Sequence, residues 1–172
     1  DTCDARASWG DREKKLKILS DSHIGAFAAI KLGLYLVLYT AFFTELRALS
    51  AAAVVCVGFV LSRSLSGLAA VTFRAAKKEG SLQSFTAPAH KRVTVITLVI
   101  LSAVSVAAMV VISPGAGAAA SGAALLTLLY YRHMAYKEFG GITGDLAGWF
   151  LQVCELVIAA SAALTYRIME VM

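Results

Sequence analysis

The chain has 172 residues, of which 59% are hydrophobic and 16% charged, with a mean hydropathy of +0.73. A water-soluble domain is nearer about 45–50% apolar and about 25% charged, so that class is excluded. The formal charge of +5 does not call for a nucleic-acid partner, because the topology derived below accounts for most of the basic residues.

Several windows of about 20 residues are apolar enough to span a hydrocarbon core of about 30 Å. The expectation is an all-α, polytopic membrane protein built as a single domain over residues 1–172. The first stretch, DTCDARASWGDREKKLKILSDSHIGAF, is polar and carries Asp1, Asp4, Asp11, Glu13 and Asp21. The chain starts on Asp-Thr-Cys-Asp, without methionine or a charged-then-apolar leader, so processing or a preceding segment is expected. Five spans follow, at about Ile24–Thr44, Leu49–Phe73, Val93–Ile112, Ala116–Tyr131 and Leu146–Tyr166, the fourth being the shortest and least apolar. A polar loop, FRAAKKEGSLQSFTAPAHKR, separates the second from the third, and the uncharged turn SPGAG separates the third from the fourth.

Charge sets the orientation. The segment before the first span, the Arg74–Arg92 loop and the Arg132–Asp145 loop fall on one side, and together hold most of the Lys and Arg. The opposite side holds only Arg47 and Arg167, while Lys31 and Arg63 fall inside spans. Positive-inside bias makes the basic side cytoplasmic, in a cell (inner) membrane, and leaves the C-terminus outside. Cys3, Cys56 and Cys154 have neither disulfide nor metal-ligand spacing and read as packing residues. His23, His90 and His133 read as surface residues.

The acids gather on the same side. Asp1 and Asp4 are spaced to share a helix face, and Asp21 stands at the start of the first span. Carboxylates meeting at one membrane-surface pocket suit Mg²⁺, which takes oxygen ligands and keeps waters and substrate phosphates in its shell. The competing reading makes Asp1 and Asp4 solvated acids and Asp21 a helix N-cap. In FGGITGDLAGWFLQVCEL, helical periodicity puts Gly141, Gly144, Asp145, Gly148, Gln152 and Glu155 along one stripe. Small residues there let a ligand or another helix approach. An ionisable residue within a span is a functional candidate by default. For Glu155 the alternative is a structural bond to a neighbour such as Arg63, which itself needs Glu155 or a bound phosphate.

Three segments together resemble the cobalamin synthases (adenosylcobinamide-GDP ribazoletransferases). The opening stretch is similar to that family's DTxD, basic amphipathic segment and DSxxGxF. SRSLSGLAAVTFRAAKKEGS resembles its SR-containing helix and glycine-ending basic loop, and FGGITGDLAGWFLQVCEL resembles its GGxTGD helix followed by a glutamate. The family's His-Leu-Asp-Gly-Leu-Ala, expected on a further membrane segment before DTxD, does not occur here, and Gln152 stands where many members have a second glutamate.

The resemblance implies a Mg²⁺-dependent transferase of the last stage of cobalamin biosynthesis. It would join adenosylcobinamide-GDP to α-ribazole, or its 5′-phosphate, with GMP leaving. It further implies metal ligation by Asp1, Asp4, Asp21 and Asp145, with Asp145 and Asp4 catalytic. Phosphate and ligand contacts would come from Arg74, Lys77, Lys78, Lys137, Arg63, Gly141 and Gly144. The lipid bilayer is the remaining partner, and self-association stays open. Two other readings stand beside it. A transporter or channel subunit would account for Lys31, Arg63 and Glu155 inside spans, but such sites lie near the bilayer midplane. A CDP-alcohol-type phosphotransferase would carry a DG-x-x-AR pattern that this chain lacks.

Overall fold

The computed structural model describes residues 1–21, 23–76 and 90–171. Its helices are α1 (Thr2–Ala7), α2 (Arg12–Ile18), α3 (Ala26–Thr44), α4 (Leu49–Thr72), α5 (Lys91–Ile112), α6 (Pro114–Met134) and α7 (Gly144–Val171); a π-helical turn, Ala135–Phe139, continues α6. Lys77 and Lys78 lie outside the described residues.

Four of these helices, α3, α4, α5 and α7, are long and apolar enough to cross a membrane. The protein is a polytopic helical membrane protein. The fourth expected span, Ala116–Tyr131, is the interior of α6, which falls short on apolarity. Its first half is Gly, Ala and Ser, and Ala116, Gly117, Ala120, Ser121 and Ala124 are buried against neighbouring helices rather than offered to lipid. Small residues there let backbones approach. α6 nonetheless runs the height of the bundle. Gly115 at its start lies beside Met169 and Thr165 near the end of α7, and its other end leads through the π turn to the start of α7.

The core forms where α4, α6 and α7 meet, around Leu61, Tyr131, Phe139, Leu146, Phe150 and Ile158. Tyr131 stacks on Phe150 with centroids 4.9 Å apart. α3 and α5 flank this core and stay open along most of their length: Ile30 and Val37 on α3 are 68% and 66% exposed, and Val93 on α5 is 63% exposed. A helix apolar all round with so little protein covering suits lipid contact. Cys154 is buried as expected, but Cys56 is exposed, because its position on α4 faces away from α6 and α7.

Local signals explain the termini. Asp11 caps α2, its side chain accepting the Lys14 N–H at 3.0 Å. Pro114 occupies the first turn of α6, where a missing N–H costs nothing. Thr143 caps α7, accepting the Leu146 N–H at 3.3 Å. Gly140 ends the π turn at φ 72°, the left-handed conformation that favours glycine.

Candidate active site

The short amphipathic helices α1 and α2 dock onto the junction between α6 and α7. Glu138 of the π turn is the anchor. It accepts from Arg6 Nε at 3.3 Å and from Lys15 Nζ at 2.9 Å. Arg6 also donates to the Tyr130 hydroxyl at 2.8 Å and lies over the Tyr130 and Trp149 rings, 5.7 and 5.6 Å from their centroids. Ala5 and Leu19 pack into the core beneath. Docking brings the DTCD segment against the first turn of α7, where the Thr2 hydroxyl donates to the Asp145 carbonyl at 3.4 Å.

Asp4 does not stand free at this junction. Its Oδ2 accepts the Gly25 N–H at 2.9 Å and its Oδ1 accepts the Ala28 N–H at 3.1 Å. Gly25 is the N-cap position of α3 and has no cap of its own, so Asp4 supplies the cap from a different helix. Asp21, the residue whose sequence position suggested an N-cap, turns instead to His23. It accepts that residue's Nδ1 at 2.7 Å and backbone N–H at 3.1 Å. The side-chain bond, reinforced by the backbone one, holds the Asp21 carboxyl below the usual carboxylate range.

Between α3 and α7 lies a groove of about 480 Å³ whose lining includes Asp1 and Asp145, both exposed. Its walls carry Lys31, Tyr35, Trp149 and Gln152 among leucines and Val153. Asp145 sits in the first turn of α7, where the helix dipole favours a negative charge. At Gly148, one turn on, an added Cβ would meet nothing within 4 Å, so glycine widens the groove. Lys31, a cation inside a span by its sequence position, lines the groove together with the two carboxylates. Tyr35 and Trp149 were not singled out at all, and the one available signal was a cation within a span.

The Gly-stripe of α7 divides between two neighbours. Asp145, Gly148 and Gln152 line the groove, while Glu155 turns to α4. There Arg63 Nη1 donates to Glu155 Oε1, as does the Ser62 hydroxyl at 3.2 Å. Two of the three charges inside spans therefore satisfy each other, and a structural role accounts for both. That removes much of what the transporter reading had to explain.

Gly141 and Arg74 belong to the frame of this site. Ile142 N–H donates to Arg74 O and Ala76 N–H to Ile142 O, both at 2.9 Å, forming a short parallel bridge. A Cβ on Gly141 would stand 2.5 Å from Arg74 O, so the close approach that requires glycine is that of this backbone. Arg74 Nε and Nη2 both donate to Gly140 O, at 3.1 and 2.8 Å. Gly144 is exposed at the start of α7. Lys137 lies apart from the groove, in a separate basic cavity.

Among the described residues no three His, Cys, Asp or Glu side chains converge to hold a metal ion. Asp1 and Asp145 line the groove, Asp4 is engaged by two backbone amides, and Asp21 is engaged by His23. Two exposed carboxylates lining one groove suit Mg²⁺ when substrate phosphates and waters complete its shell.

Residues 1–163 match the cobalamin-5-phosphate synthase family. The chain is 43% identical over 157 residues to a protein of Lachnoclostridium phytofermentans named adenosylcobinamide-GDP ribazoletransferase, covering 91% of this chain and 60% of that protein. Proteins of the same name from Chlorobium phaeovibrioides and Clostridium botulinum are 28% and 31% identical, with 67% and 65% of their lengths covered. The chain thus spans about three fifths to two thirds of the length of these relatives. No solved structure matches it.

Proposed function

Because the chain belongs to the cobalamin-5-phosphate synthase family, we propose that it forms the core of an adenosylcobinamide-GDP ribazoletransferase, a single integral-membrane domain whose site faces the cytoplasm. The observation that carries this reading is that Asp1 and Asp145 line the same α3–α7 groove. A ribose hydroxyl of α-ribazole, or of its 5′-phosphate, attacks the phosphorus attached to cobinamide. A new P–O bond forms to the ribose, the diphosphate bridge breaks and GMP leaves. The products are adenosylcobalamin, or its 5′-phosphate, and GMP.

Such a transfer needs positioning and charge neutralisation more than covalent help. Asp1 and Asp145 would hold Mg²⁺, which when bound neutralises the diphosphate and stabilises the departing charge. Asp145 accepts the hydroxyl proton of the incoming ribose. Lys31 presents its ammonium to phosphate oxygens from the groove wall. Trp149 and Tyr35 bound the apolar part of the groove and exclude water from the acceptor. Asp4 positions α3, and with it Lys31 and Tyr35, by capping the helix that carries them.

The test is product formation by membranes of cells expressing the full gene product, supplied with adenosylcobinamide-GDP and α-ribazole, with Mg²⁺ or with EDTA. Turnover that requires Mg²⁺ and falls at least about a hundredfold in Asp145→Asn is the expected result. Full turnover in EDTA would remove the metal, and full turnover in Asp145→Asn would remove the base.

A further inference from the structure

A second cavity of about 480 Å³ lies where α6 passes into the π turn, lined by Leu129, Arg132, His133, Tyr136 and Lys137. It shares no lining residue with the α3–α7 groove. Its polar groups are built to donate. Arg132, His133 and Lys137 are all exposed, and none pairs with a carboxylate among the described residues. In this they differ from Arg6, Lys15 and Arg63, each of which has a glutamate. Rings hold Arg132 in place instead. Its guanidinium lies over Phe73 and Tyr136, 5.4 and 5.7 Å from their centroids, which leaves its N–H groups available for a bidentate acceptor. The Tyr136 hydroxyl accepts the Arg74 N–H at 2.9 Å, so its own proton is free to donate.

The surroundings select the ligand. Leu129 on the cavity wall is 62% exposed, and along α6 the exposed surface continues through Leu126 and Leu125, 68% and 46% exposed. A multiply basic, donor-rich cup thus sits directly above apolar helix surface, on the face where α1, α2 and the start of α7 gather. Fixed cations beside an apolar helix surface match an anionic headgroup attached to acyl chains.

We propose that Arg132, His133, Tyr136 and Lys137 form a phosphate-ester site distinct from the Asp1–Asp145 groove. The same chemistry could be met by the headgroup of an anionic phospholipid or by the phosphate of a soluble nucleotide. The exposed leucines below the cup favour the lipid. The assignment is independent of the transferase reading, and its readout is binding rather than turnover.

The experiment is native mass spectrometry of the full gene product purified in detergent, delipidated and re-exposed to phosphatidylglycerol, to phosphatidylcholine, or to GDP. Wild type, His133→Gln/Lys137→Gln and Lys137→Gln alone are compared with Lys91→Gln/Arg92→Gln, which removes two cations from the exposed start of α5 instead. Arg132 is left unchanged because it packs on Phe73. Loss of the Lys137 ammonium should weaken anionic-lipid retention about fivefold, and the double variant, which also loses the His133 donor, should retain less still. The expected result is phosphatidylglycerol bound in preference to phosphatidylcholine, with retention reduced in both pocket variants and kept in the Lys91/Arg92 variant. GDP bound by wild type and lost in the pocket variants would keep the site and make a soluble phosphate its source. Binding of phosphatidylglycerol and of GDP that is equal in wild type and pocket variants, or an equal loss in the Lys91/Arg92 variant, overturns the assignment.

Discussion

Asp4 caps a helix to which it does not belong: its carboxylate takes the Gly25 and Ala28 amides of α3 at 2.9 and 3.1 Å. The contact ties the DTCD segment to the helix that forms one wall of the groove. An acid that reads as a metal ligand by its place in a motif is, in the fold, a tertiary cap. The two roles separate experimentally. Asp4→Asn keeps one acceptor and Asp4→Ala none, so stability should fall by about 1 kcal/mol and up to about 2 kcal/mol respectively. The Mg²⁺ concentration that supports half-maximal turnover should stay put in Asp4→Asn. Thermal unfolding and a Mg²⁺ titration measure the two effects, and a large shift in the titration would return Asp4 to the metal.

Gly148 tests whether the groove is where a ligand sits. A Cβ there meets open space, so Gly148→Ala should leave stability and turnover close to wild type. Gly148→Phe fills the groove between Asp145 and Gln152 without meeting the core. It should keep the unfolding temperature and raise KM or abolish turnover. Normal kinetics in Gly148→Phe would place the substrate elsewhere.

Gly140 holds φ 72° with the Arg12 guanidinium where a Cβ would stand. Gly140→Ala adds left-handed strain of about 1–2 kcal/mol and displaces Arg12 from its bond to the Ala76 carbonyl. The unfolding temperature should drop, with the loss reported by heat denaturation in detergent. An unchanged midpoint would mean that the α6–α7 junction relaxes freely.

The Arg63–Glu155 pair joins α4 to α7 within the membrane-crossing part of the bundle. Glu155 is 12% exposed and Arg63 62%, so the carboxylate carries the larger penalty when left alone. A double-mutant cycle with Arg63→Ala and Glu155→Ala should give a coupling of about 1 kcal/mol. Arg63→Ala alone should cost more than the double variant. Additivity within error would show that the pair is held by packing alone.

Asp21 offers a pH readout. Its carboxyl is held low by the bonds from His23, so the folded state gains from its ionised form. That gain is fully present above the ordinary carboxylate value and is lost as pH falls through the lower folded value. His23→Ala removes the ring donor and keeps the backbone N–H, so it should move the Asp21 titration up toward the ordinary range, as followed by carboxyl carbon NMR. An unmoved titration would assign the lowering to another group.

The helices and their membrane character were legible in the residues themselves. Hydropathy over a window of about 20 residues and helical periodicity are local properties, and they carry through to the fold. The Arg63–Glu155 partnership was also within reach, because two opposite charges in apolar helices have few other ways to be satisfied.

What local pattern could not decide is which residues meet across the bundle. Asp4 and Gly25 are 21 positions apart, and Thr2 and Asp145 are 143 apart; whether they touch depends on the packing and register of separate helices. Periodicity put Glu155 on the stripe with Asp145, but the stripe is broad enough to face two neighbours, and packing sent one acid to the groove and the other to Arg63. Gly141 could have opened space for a ligand. The return of the chain after α4 placed the Arg74 carbonyl there instead. By itself the sequence determined a bundle of apolar, membrane-crossing helices, because composition and period are written residue by residue. Only the tertiary structure decided that Asp1, Asp145 and Lys31 share a groove while Asp4 holds a helix, because contact between distant residues is a property of packing.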